Sequence, residues 1–325
     1  MLRNSSLTIF RSFKTQLSST SAVASRFYST ITNGDVEGLK ITTSNHVCRI
    51  EFSRPWKYNA ITSDMYIKIP KVLEEASAND EVKFVVFAGT GAYYCSGNDL
   101  SNFDKAAKIG KEAMAKEAQE ILHKFVGAFI DFDKPMIACV NGPAVGIGVS
   151  TLPLFDIVWA SDTATFNTPF VSLGQACEGA STYTFPYLMG HSKLFFLKNH
   201  VFCVFEDRNC IDSDDEKSKN DLFGQKQASE FLLFGRKLSA QEAYERNLIN
   251  EVIPDSKFFD ECNRRIAEYS KLPPQALKIN KQVLRRFHLE SLHKANEHEC
   301  EVLKERWVSK ECEKALIAFM TRKKK

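Results

Sequence analysis

The 325 residues are enough for one large domain or two small ones, and the 44% hydrophobic content is ordinary for a globular protein. Residues 1–28 hold four of the 43 basic residues and none of the 40 acidic ones. The rest of the chain therefore has 39 basic and 40 acidic residues, a net charge of −1. That balance gives no reason to expect nucleic acid or another polyanion as a partner. No apolar run reaches the 18 or so residues of a membrane-spanning helix.

The N-terminal segment has the composition of a mitochondrial transit peptide. Its first 34 residues contain no Asp or Glu, and basic residues are interspersed with Ser, Thr and apolar residues. The stretch from Arg26 to Ser29 resembles a matrix-protease site with the cut after Tyr28. The alternative is a basic arm that binds nucleic acid. We expect residues 1–28 to be removed in the mitochondrial matrix.

Strands and helices alternate in the first half of the chain. Apolar and charged residues alternate from Cys48 to Phe52, which predicts a half-buried strand at 47–52. Two wholly apolar runs predict buried strands. The other elements expected here are a helix from its N-cap Ser63 to Ala78 with a kink at Pro70, strands at 84–88 and 136–140, and a helical region at 103–132.

The second half continues the alternation and then becomes helical. A small-residue helix is expected at 146–154, a strand at 156–160 and an extended piece at 164–170. From residue 256 onward the pattern is helical only, and we expect these helices to pack outside the first layer. Strands that alternate with helices predict an α/β fold with crossover connections.

One segment, residues 194–227, does not fit this pattern. An apolar run at 194–205 and a polar run at 206–220 separate the helix after Glu178 from residues 228–235, which look like its continuation. The acidic residues within the polar run lack the glycine and the glutamate of a calcium-binding loop, so a solvated loop is expected. The segment is either a lineage-specific loop or an unspliced or mispredicted piece.

The cysteines and histidines do not predict a metal site. The nine cysteines show no C-x-x-C spacing and lie mostly in apolar runs, which is typical of reduced core residues. The histidines are scattered, with no ligand pair on a shared apolar face. The Gly89-Thr90-Gly91 stretch lacks the third glycine of a dinucleotide fingerprint, and neither a nucleophile elbow nor a phosphate loop is present.

Two glycine-containing turns predict an oxyanion hole. Tyr93–Leu100 and Asn141–Gly148 each follow a predicted buried strand and lead into a helical pattern. The first amides of a helix lack partners within it, so two such turns side by side can aim free N–H groups at one point.

Glu178 is the candidate general base. It lies among small and apolar residues where a loop enters a helix. Desolvation there would raise its pKa toward neutrality, as a base that shuttles protons requires. The alternative is an acid that the helix N-terminus favours, and the residues alone leave the two equal.

The segments 84–99, 134–149 and 156–169 resemble the crotonase (enoyl-CoA hydratase/isomerase) superfamily. Residues 38–193 and 228–322 are covered, and the closest likeness is to the peroxisomal-type 3,2-enoyl-CoA isomerases. The motifs that carry this likeness are Ser-Gly-Asn-Asp-Leu at 96–100, Asn-Gly-Pro-Ala-Val-Gly at 141–146, Leu-Gly-Gln at 173–175 with Glu-Gly at 178–179, and Lys-Leu-Pro-Pro-Gln-Ala-Leu at 271–277. The resemblance implies a core of ββα spiral turns and a C-terminal helical region that forms trimers.

The resemblance also implies the site residues. The thioester carbonyl would lie against the backbone amides of Ser96 and Ile147, with Glu178 as the acid/base. By alignment, the two glutamates of the hydratases fall on Ser150 and Phe170, which disfavours hydration. No metal or cofactor is implied, since coenzyme A is part of the substrate. Substrate contacts are expected from Lys57, Asn59, Ala60, Ser96, Gly97, Asn98, Asp99, Leu100 and Gly146.

We therefore predict a 3,2-trans-enoyl-CoA isomerase of unsaturated fatty acid oxidation, with a core at 35–255 and a helical region at 256–325. Its partner would be an acyl-CoA thioester, and its assembly a homotrimer or a dimer of trimers. The rivals are an acyl-CoA-binding pseudoenzyme inactivated by the 194–227 insertion, and a dienoyl-CoA isomerase or weak hydratase. A peroxisomal location is the alternative to the matrix, although the chain does not end in Ser-Lys-Leu.

Overall fold

The computed structural model describes residues 36–189 and 226–321, except for the side chains of 105–107. The predicted transit peptide, the predicted insertion up to residue 225 and the last four residues lie outside the described residues. Within the described ranges, no helix has the length and apolarity needed to cross a membrane.

The described residues form a six-stranded sheet and a smaller three-stranded one. The large sheet has the order β1-β2-β3-β4-β6-β9, in which β1 runs antiparallel to β2 and the other neighbours are parallel. The small sheet has the order β5-β7-β8. The strands are β1 Leu39–Ser44, β2 Val47–Phe52, β3 Phe84–Gly89, β4 Met136–Val140, β5 Ala144–Val145, β6 Ile157–Ser161, β7 Thr165–Asn167, β8 Leu238–Ser239 and β9 Glu251–Ile253.

Burial explains why the central strands could be predicted. Every residue of β3 and β4 is buried, as expected for parallel strands covered on both faces. The alternation predicted for β2 is confirmed, since Cys48, Ile50 and Phe52 are buried and Arg49 and Glu51 only partly so. The short β9 was not predicted, although it completes the large sheet beside β6.

The helices follow the predicted spans with two local differences. The N-cap of α1 is Thr62 rather than Ser63, because the Thr62 side chain accepts the N–H of Met65. The predicted helix at 103–132 is interrupted at Gly110, whose φ of +87° favours glycine. The α-helices are α1 Ser63–Ala78, α2 Ala106–Ile109, α3 Lys111–Asp131, α4 Ile147–Ser150, α5 Ser181–Met189, α6 Ala240–Glu245, α7 Phe258–Tyr269, α8 Pro274–Arg285, α9 Leu289–Trp307 and α10 Lys310–Thr321; 3₁₀ turns cover Pro55–Lys57, Leu100–Lys105, Leu152–Leu154, Val171–Leu173 and Asp255–Lys257.

The C-terminal helices are not all outside the first layer, contrary to the prediction. Helix α9 packs along α3, and its Leu292, Cys300 and Leu303 belong to the main hydrophobic core. Helix α7 instead covers the other face of the sheet, with Phe258 and Ile266 against β3, β4 and β6. A helical region at 256–321 is confirmed, but α9 is part of the core.

The residues directly before and directly after segment 190–225, which the structure does not describe, meet in the core. Residues 226–232 are helical, and the buried ring of Phe231 stacks on that of Phe185 in α5 with centroids 5.5 Å apart. The helix behind Glu178 is therefore packed at its C-terminal half by the chain that follows the segment.

Candidate active site

The two predicted turns lie side by side, as predicted. They follow β3 and β4, which are adjacent parallel strands with Val85 opposite Met136, so both turns leave the same edge of the sheet. The Asn141 side chain ties them together, accepting the N–H of Gly89 at 3.0 Å and donating to the carbonyl of Gly91 at 2.9 Å. Farther on, the N–H of Val145 donates to the carbonyl of Cys95 at 2.8 Å.

Two glycines allow these turns to approach the acid. At Gly97, with φ +90°, a β-carbon would stand 2.9 Å from the carbonyl oxygen of Val145, which no side chain permits. At Gly146, with φ +57°, a β-carbon would lie 3.9 Å from Cα of Gly97 and 4.0 Å from Oε1 of Glu178. Both turns and the Glu178 carboxylate therefore border one small space.

The predicted role of the Ser96 amide conflicts with the structure. The N–H of Ser96 donates to the carbonyl of Tyr58 at 3.0 Å, so it is already bonded. The sequence motif did not reveal this bond, because Tyr58 belongs to another loop. Within the described ranges, the amides of Asn98 and Ile147 have no hydrogen-bond acceptor. Asn98 thus replaces Ser96 as the candidate donor from the first turn, and Ile147 remains the candidate donor from the second.

Asn98 is held in place by its neighbours. The N–H of Ile61 donates to the carbonyl of Gly97 at 2.8 Å, and the N–H of Asp99 donates to the carbonyl of Ile61 at 2.9 Å. Neighbouring amides of an extended chain point to opposite sides, so the N–H of Asn98 faces away from Ile61. The side-chain oxygen of Asn98 accepts Nδ2 of Asn102 at 2.7 Å.

A strained turn presents Glu178. Gly179 and Ala180 both have positive φ, +79° and +57°, and α5 begins directly afterwards at Ser181. A β-carbon on Gly179 would lie 2.6 Å from Oγ of Ser150, so only glycine fits there. Positive φ at the buried Ala180 costs about 1 kcal/mol or more, and such strain is commonly found at functional sites.

The Glu178 carboxylate is buried and accepts no hydrogen bond from the described residues. The free amides at the start of α5 are bound by another acid: Oε2 of Glu299 accepts the N–H of Ala180 at 2.7 Å, and Oε1 accepts that of Thr182 at 2.8 Å. The alternative role for Glu178, an acid satisfied by the helix N-terminus, is therefore filled by Glu299. No sequence motif had pointed to Glu299.

The environment of Glu178 is suited to a general base. Burial, and after it the charge of Glu299, raise the pKa of Glu178 to about 8. Loss of hydration penalises the charged form, and no donor among the described residues compensates for that loss. A carboxylate with a pKa near the working pH can both take and return a proton.

A pocket with mainly apolar walls opens in front of Glu178. Helices α1 and α3 supply much of its wall, and Trp307 at the end of α9 closes one side. Its lining includes a second acid, Glu117 of α3, that sequence analysis did not single out. The lining residues are Ser63, Tyr66, Asn98, Asn102, Phe103, Met114, Glu117, Ala118, Ile121, Leu122, Gln175, Glu178 and Trp307.

The side chains of two predicted substrate contacts, Asn59 and Asp99, have structural roles. The side chain of Asn59 is fully buried; it accepts the N–H of Arg54 and donates to the carbonyls of Thr90 and Tyr93. The Asp99 carboxylate pairs with Arg54 at 2.8 Å, so neither side chain is free for coenzyme A. Among the other predicted contacts, Lys57 is exposed, Ala60 and Leu100 are partly buried, and Gly97, Asn98 and Gly146 border the site.

Arg54 is a further residue that sequence analysis missed. Its guanidinium is buried and donates through Nη1 both to the Asp99 carboxylate and to the carbonyl of Ala60, each at 2.8 Å. Although burial acts to raise it, the pKa of Asp99 is lowered by hydrogen bonds from Arg54 and Ser101. Arg54 thereby joins the 57–60 loop to the first turn.

Ser150 and Phe170, the positions of the hydratase glutamates in the resemblance, are both buried. Neither side chain can ionise near neutral pH. Two carboxylates, Glu178 and Glu117, line the pocket, and its described lining contains no basic side chain.

Sequence comparisons relate the chain to known proteins. The family model described as enoyl-CoA hydratase/isomerase matches residues 42–195 and 220–325. The chain is 44% identical over 289 residues to enoyl-CoA delta isomerase 2 of Rattus norvegicus, across 89% of this chain and 65% of that protein. It is 41% identical to the peroxisomal enoyl-CoA delta isomerase 3 of Mus musculus, across 88% of this chain and 78% of the relative.

A solved structure shares the fold. The enoyl-CoA hydratase/isomerase of Pseudoalteromonas atlantica superposes with a TM-score of 0.71 at 24% identity, over 88% of this chain and 98% of that one. At that identity the likeness concerns the fold alone. The chain spans less than two thirds of the length of the rat relative.

Proposed function

The chain belongs to the enoyl-CoA hydratase/isomerase family, and we propose that it is an isomerase that converts 3-enoyl-CoA, cis or trans, to 2-trans-enoyl-CoA. The observation that carries the proposal is the position of Glu178: its buried carboxylate accepts no hydrogen bond from the described residues and borders two turns whose Asn98 and Ile147 amides have no acceptor among them. The substrates would be intermediates of unsaturated fatty acid oxidation.

The mechanism uses one acid/base group. Ionised Glu178 takes a proton from C2 of the thioester, and the electron pair moves into a dienolate. The amides of Asn98 and Ile147 stabilise the negative oxygen, each such donor being worth about 3 kcal/mol in the transition state. The protonated carboxyl then donates to C4, which leaves the double bond between C2 and C3. The proton count at Glu178 is unchanged after one turnover.

Isomerisation fits the pocket better than hydration. Addition of water requires a group that activates the water molecule, and the positions of the hydratase glutamates hold Ser150 and Phe170. Isomerisation transfers neither electrons nor a chemical group, so the proposal requires no resident cofactor or metal. Coenzyme A enters with the substrate, and the exposed loop around Lys57 is the proposed contact for it.

The two rivals differ from this proposal in a testable way. A pseudoenzyme would need the helix behind Glu178 to be disordered, whereas α5 is packed by Phe231. A dienoyl-CoA isomerase would use a second acid, and Glu117 is the residue that could serve. The role of Glu117 is therefore the point on which this rival depends.

Assembly and location are part of the proposal. We propose a homotrimer, or a dimer of trimers, through the C-terminal helices, since Val283, Leu284 and Phe287 expose more than half of their surface. The assembly can be tested by analytical ultracentrifugation, and a monomeric protein would contradict it.

We propose the mitochondrial matrix as the location because of the composition of residues 1–28. Import of the protein into isolated mitochondria, with shortening of the chain, would support this location.

The experiment that tests the reaction compares two substrates. Purified protein is incubated with 3-hexenoyl-CoA, and the conjugated product is followed by its ultraviolet absorbance and by mass spectrometry. We expect a product of unchanged mass with the double bond at C2. In parallel, 2-hexenoyl-CoA should gain no water. Efficient conversion of 2-hexenoyl-CoA to the hydroxyacyl product, or binding of 3-hexenoyl-CoA without turnover, would contradict the proposal.

A further inference from the structure

Glu299 and Glu178 form an unequal pair of buried acids. Glu299 lies on α9 and is only 3% exposed. It accepts three hydrogen bonds, from the amides of Ala180 and Thr182 and from Oγ1 of Thr182 at 2.6 Å. Glu178, two residues before Ala180, accepts none from the described residues. Donors to a carboxylate favour its charged form, so of the two acids Glu299 ionises first.

Among the described groups buried around Glu178, Glu299 is the one that can carry a negative charge near pH 7. Tyr66 on α1, Cys95 on the first turn, Cys177 on its own loop and Cys300 on α9 are neutral near pH 7, because burial raises the pKa of each. From α3, Glu117 faces the pocket on the substrate side.

On α9 the neighbour His298 acts on Glu299 itself. Burial raises the pKa of Glu299, while its three donors and the charge of His298 oppose that rise. The hydrogen bonds therefore favour the ionised form of Glu299 and oppose the effect of its burial.

We propose that Glu299 is a positioning residue for the isomerase: its carboxylate fixes the backbone from Ala180 to Thr182 and places a negative charge behind Glu178 that makes Glu178 a stronger base. The inference rests on the proposed function, since it assigns Glu299 a role in that reaction. It also gives a role to the hydrogen bonds by which α9 contacts the backbone next to the Gly179–Ala180 turn, where both residues have positive φ.

The test is the pH dependence of kcat/KM in the full chain carrying Glu299→Gln. Without the charge of Glu299, Glu178 should ionise more readily, so the rise of kcat/KM with pH should move to lower pH by about one unit or more. The maximal rate should fall, because a weaker base drives proton transfer less well.

Thr182→Val is the matched control. It removes the hydroxyl donor to Glu299 but leaves both amide donors and the carboxylate, so the midpoint of its pH profile should move much less than in Glu299→Gln. Glu299→Asp also keeps the charge, and it serves as the second variant if Glu299→Gln does not fold. A midpoint unchanged in Glu299→Gln, with activity reduced equally at every pH, would show a purely structural role and overturn the proposal. So would a midpoint that shifts equally in Glu299→Asp.

A measurement without turnover separates this inference from the proposed function. Infrared difference spectra between the parent and Glu178→Gln isolate the protonated carboxyl band of Glu178, which should disappear with a midpoint near pH 8. In the Glu299→Gln background the midpoint should be lower, whether or not the protein isomerises 3-hexenoyl-CoA. An inactive parent would refute the function, whereas an unshifted infrared midpoint would refute the role of Glu299.

Discussion

The carboxylate of Glu178 faces Gly146 across an open space, and a β-carbon on that glycine would lie 4.0 Å from Oε1. Gly146 directly precedes Ile147, whose amide has no acceptor among the described residues. Gly146, which has no side chain, thus lies beside both the proposed base and one proposed oxyanion donor. A thioester that enters this space would meet a base and a hydrogen-bond donor together.

The pH dependence of the reaction should follow Glu178. Only the ionised carboxylate can take the C2 proton, and its pKa is raised to about 8 by burial and by Glu299. We expect kcat/KM for 3-hexenoyl-CoA to rise with pH and to reach half of its maximum near pH 8. A profile that is flat from pH 6 to pH 9 would show that another group is the base.

The stability of Glu178→Gln should depend on pH in a defined direction. The folded-state pKa of Glu178 lies above the ordinary value of 4.5, so between these two values the folded protein binds the extra proton and loses stability as the pH rises. The variant lacks this loss. Urea unfolding should show little difference from the parent at pH 4 and a variant more stable by several kcal/mol at pH 9. Equal stabilities at pH 9 would contradict the burial of a charged Glu178.

The amide of Ile147 can be removed by proline. Ile147 is the first residue of α4, a position that tolerates proline because its N–H has no partner within the helix. Ile147→Pro should lower kcat by about 100-fold or more while the protein stays folded by circular dichroism. The control is Ile147→Ala, which truncates the same buried side chain but keeps the N–H. Equal losses of kcat in the two variants would count against the Ile147 donor.

Arg54 should be important for stability. Arg54→Met leaves the Asp99 carboxylate, 14% exposed, without its partner, and should cost about 3 kcal/mol in urea unfolding near pH 7. The pKa of Asp99 is lowered in the folded state, so this contribution is present above the unfolded pKa and is lost as the pH falls through the folded one. Arg264→Met, which breaks exposed pairs on α7 that the solvent screens, should cost far less. Equal costs for the two variants would refute the role of the Arg54 pair.

Sequence patterns predicted the elements in which buried residues follow one another in a regular pattern. The wholly apolar runs of β3 and β4 and the glycines after them could be recognised without tertiary information, because a parallel strand is buried on both faces. The strands β8 and β9 are two and three residues long. Runs that short carry no periodicity, and only their neighbours in the sheets define them as strands.

The site was predictable in outline but not in its hydrogen bonds. The motif placed Glu178 and the two turns together, whereas the choice between the amides of Ser96 and Asn98 depends on the Tyr58 carbonyl, which belongs to a separate loop. Glu299 lies in a stretch rich in charged residues that resembles a solvent-exposed helix face. Its burial results from the docking of α9 against α3 and α5.

The most direct test of the central claim compares two carboxylates of the same pocket. Isomerisation of 3-hexenoyl-CoA is measured in the parent, in Glu178→Gln and in Glu117→Gln, with thioester affinity determined by calorimetry. We predict that Glu178→Gln loses about a thousandfold or more in kcat but still binds the thioester, and that Glu117→Gln loses far less. A Glu178→Gln protein as active as the parent, or equal losses in both variants, would contradict a mechanism with Glu178 as the single base.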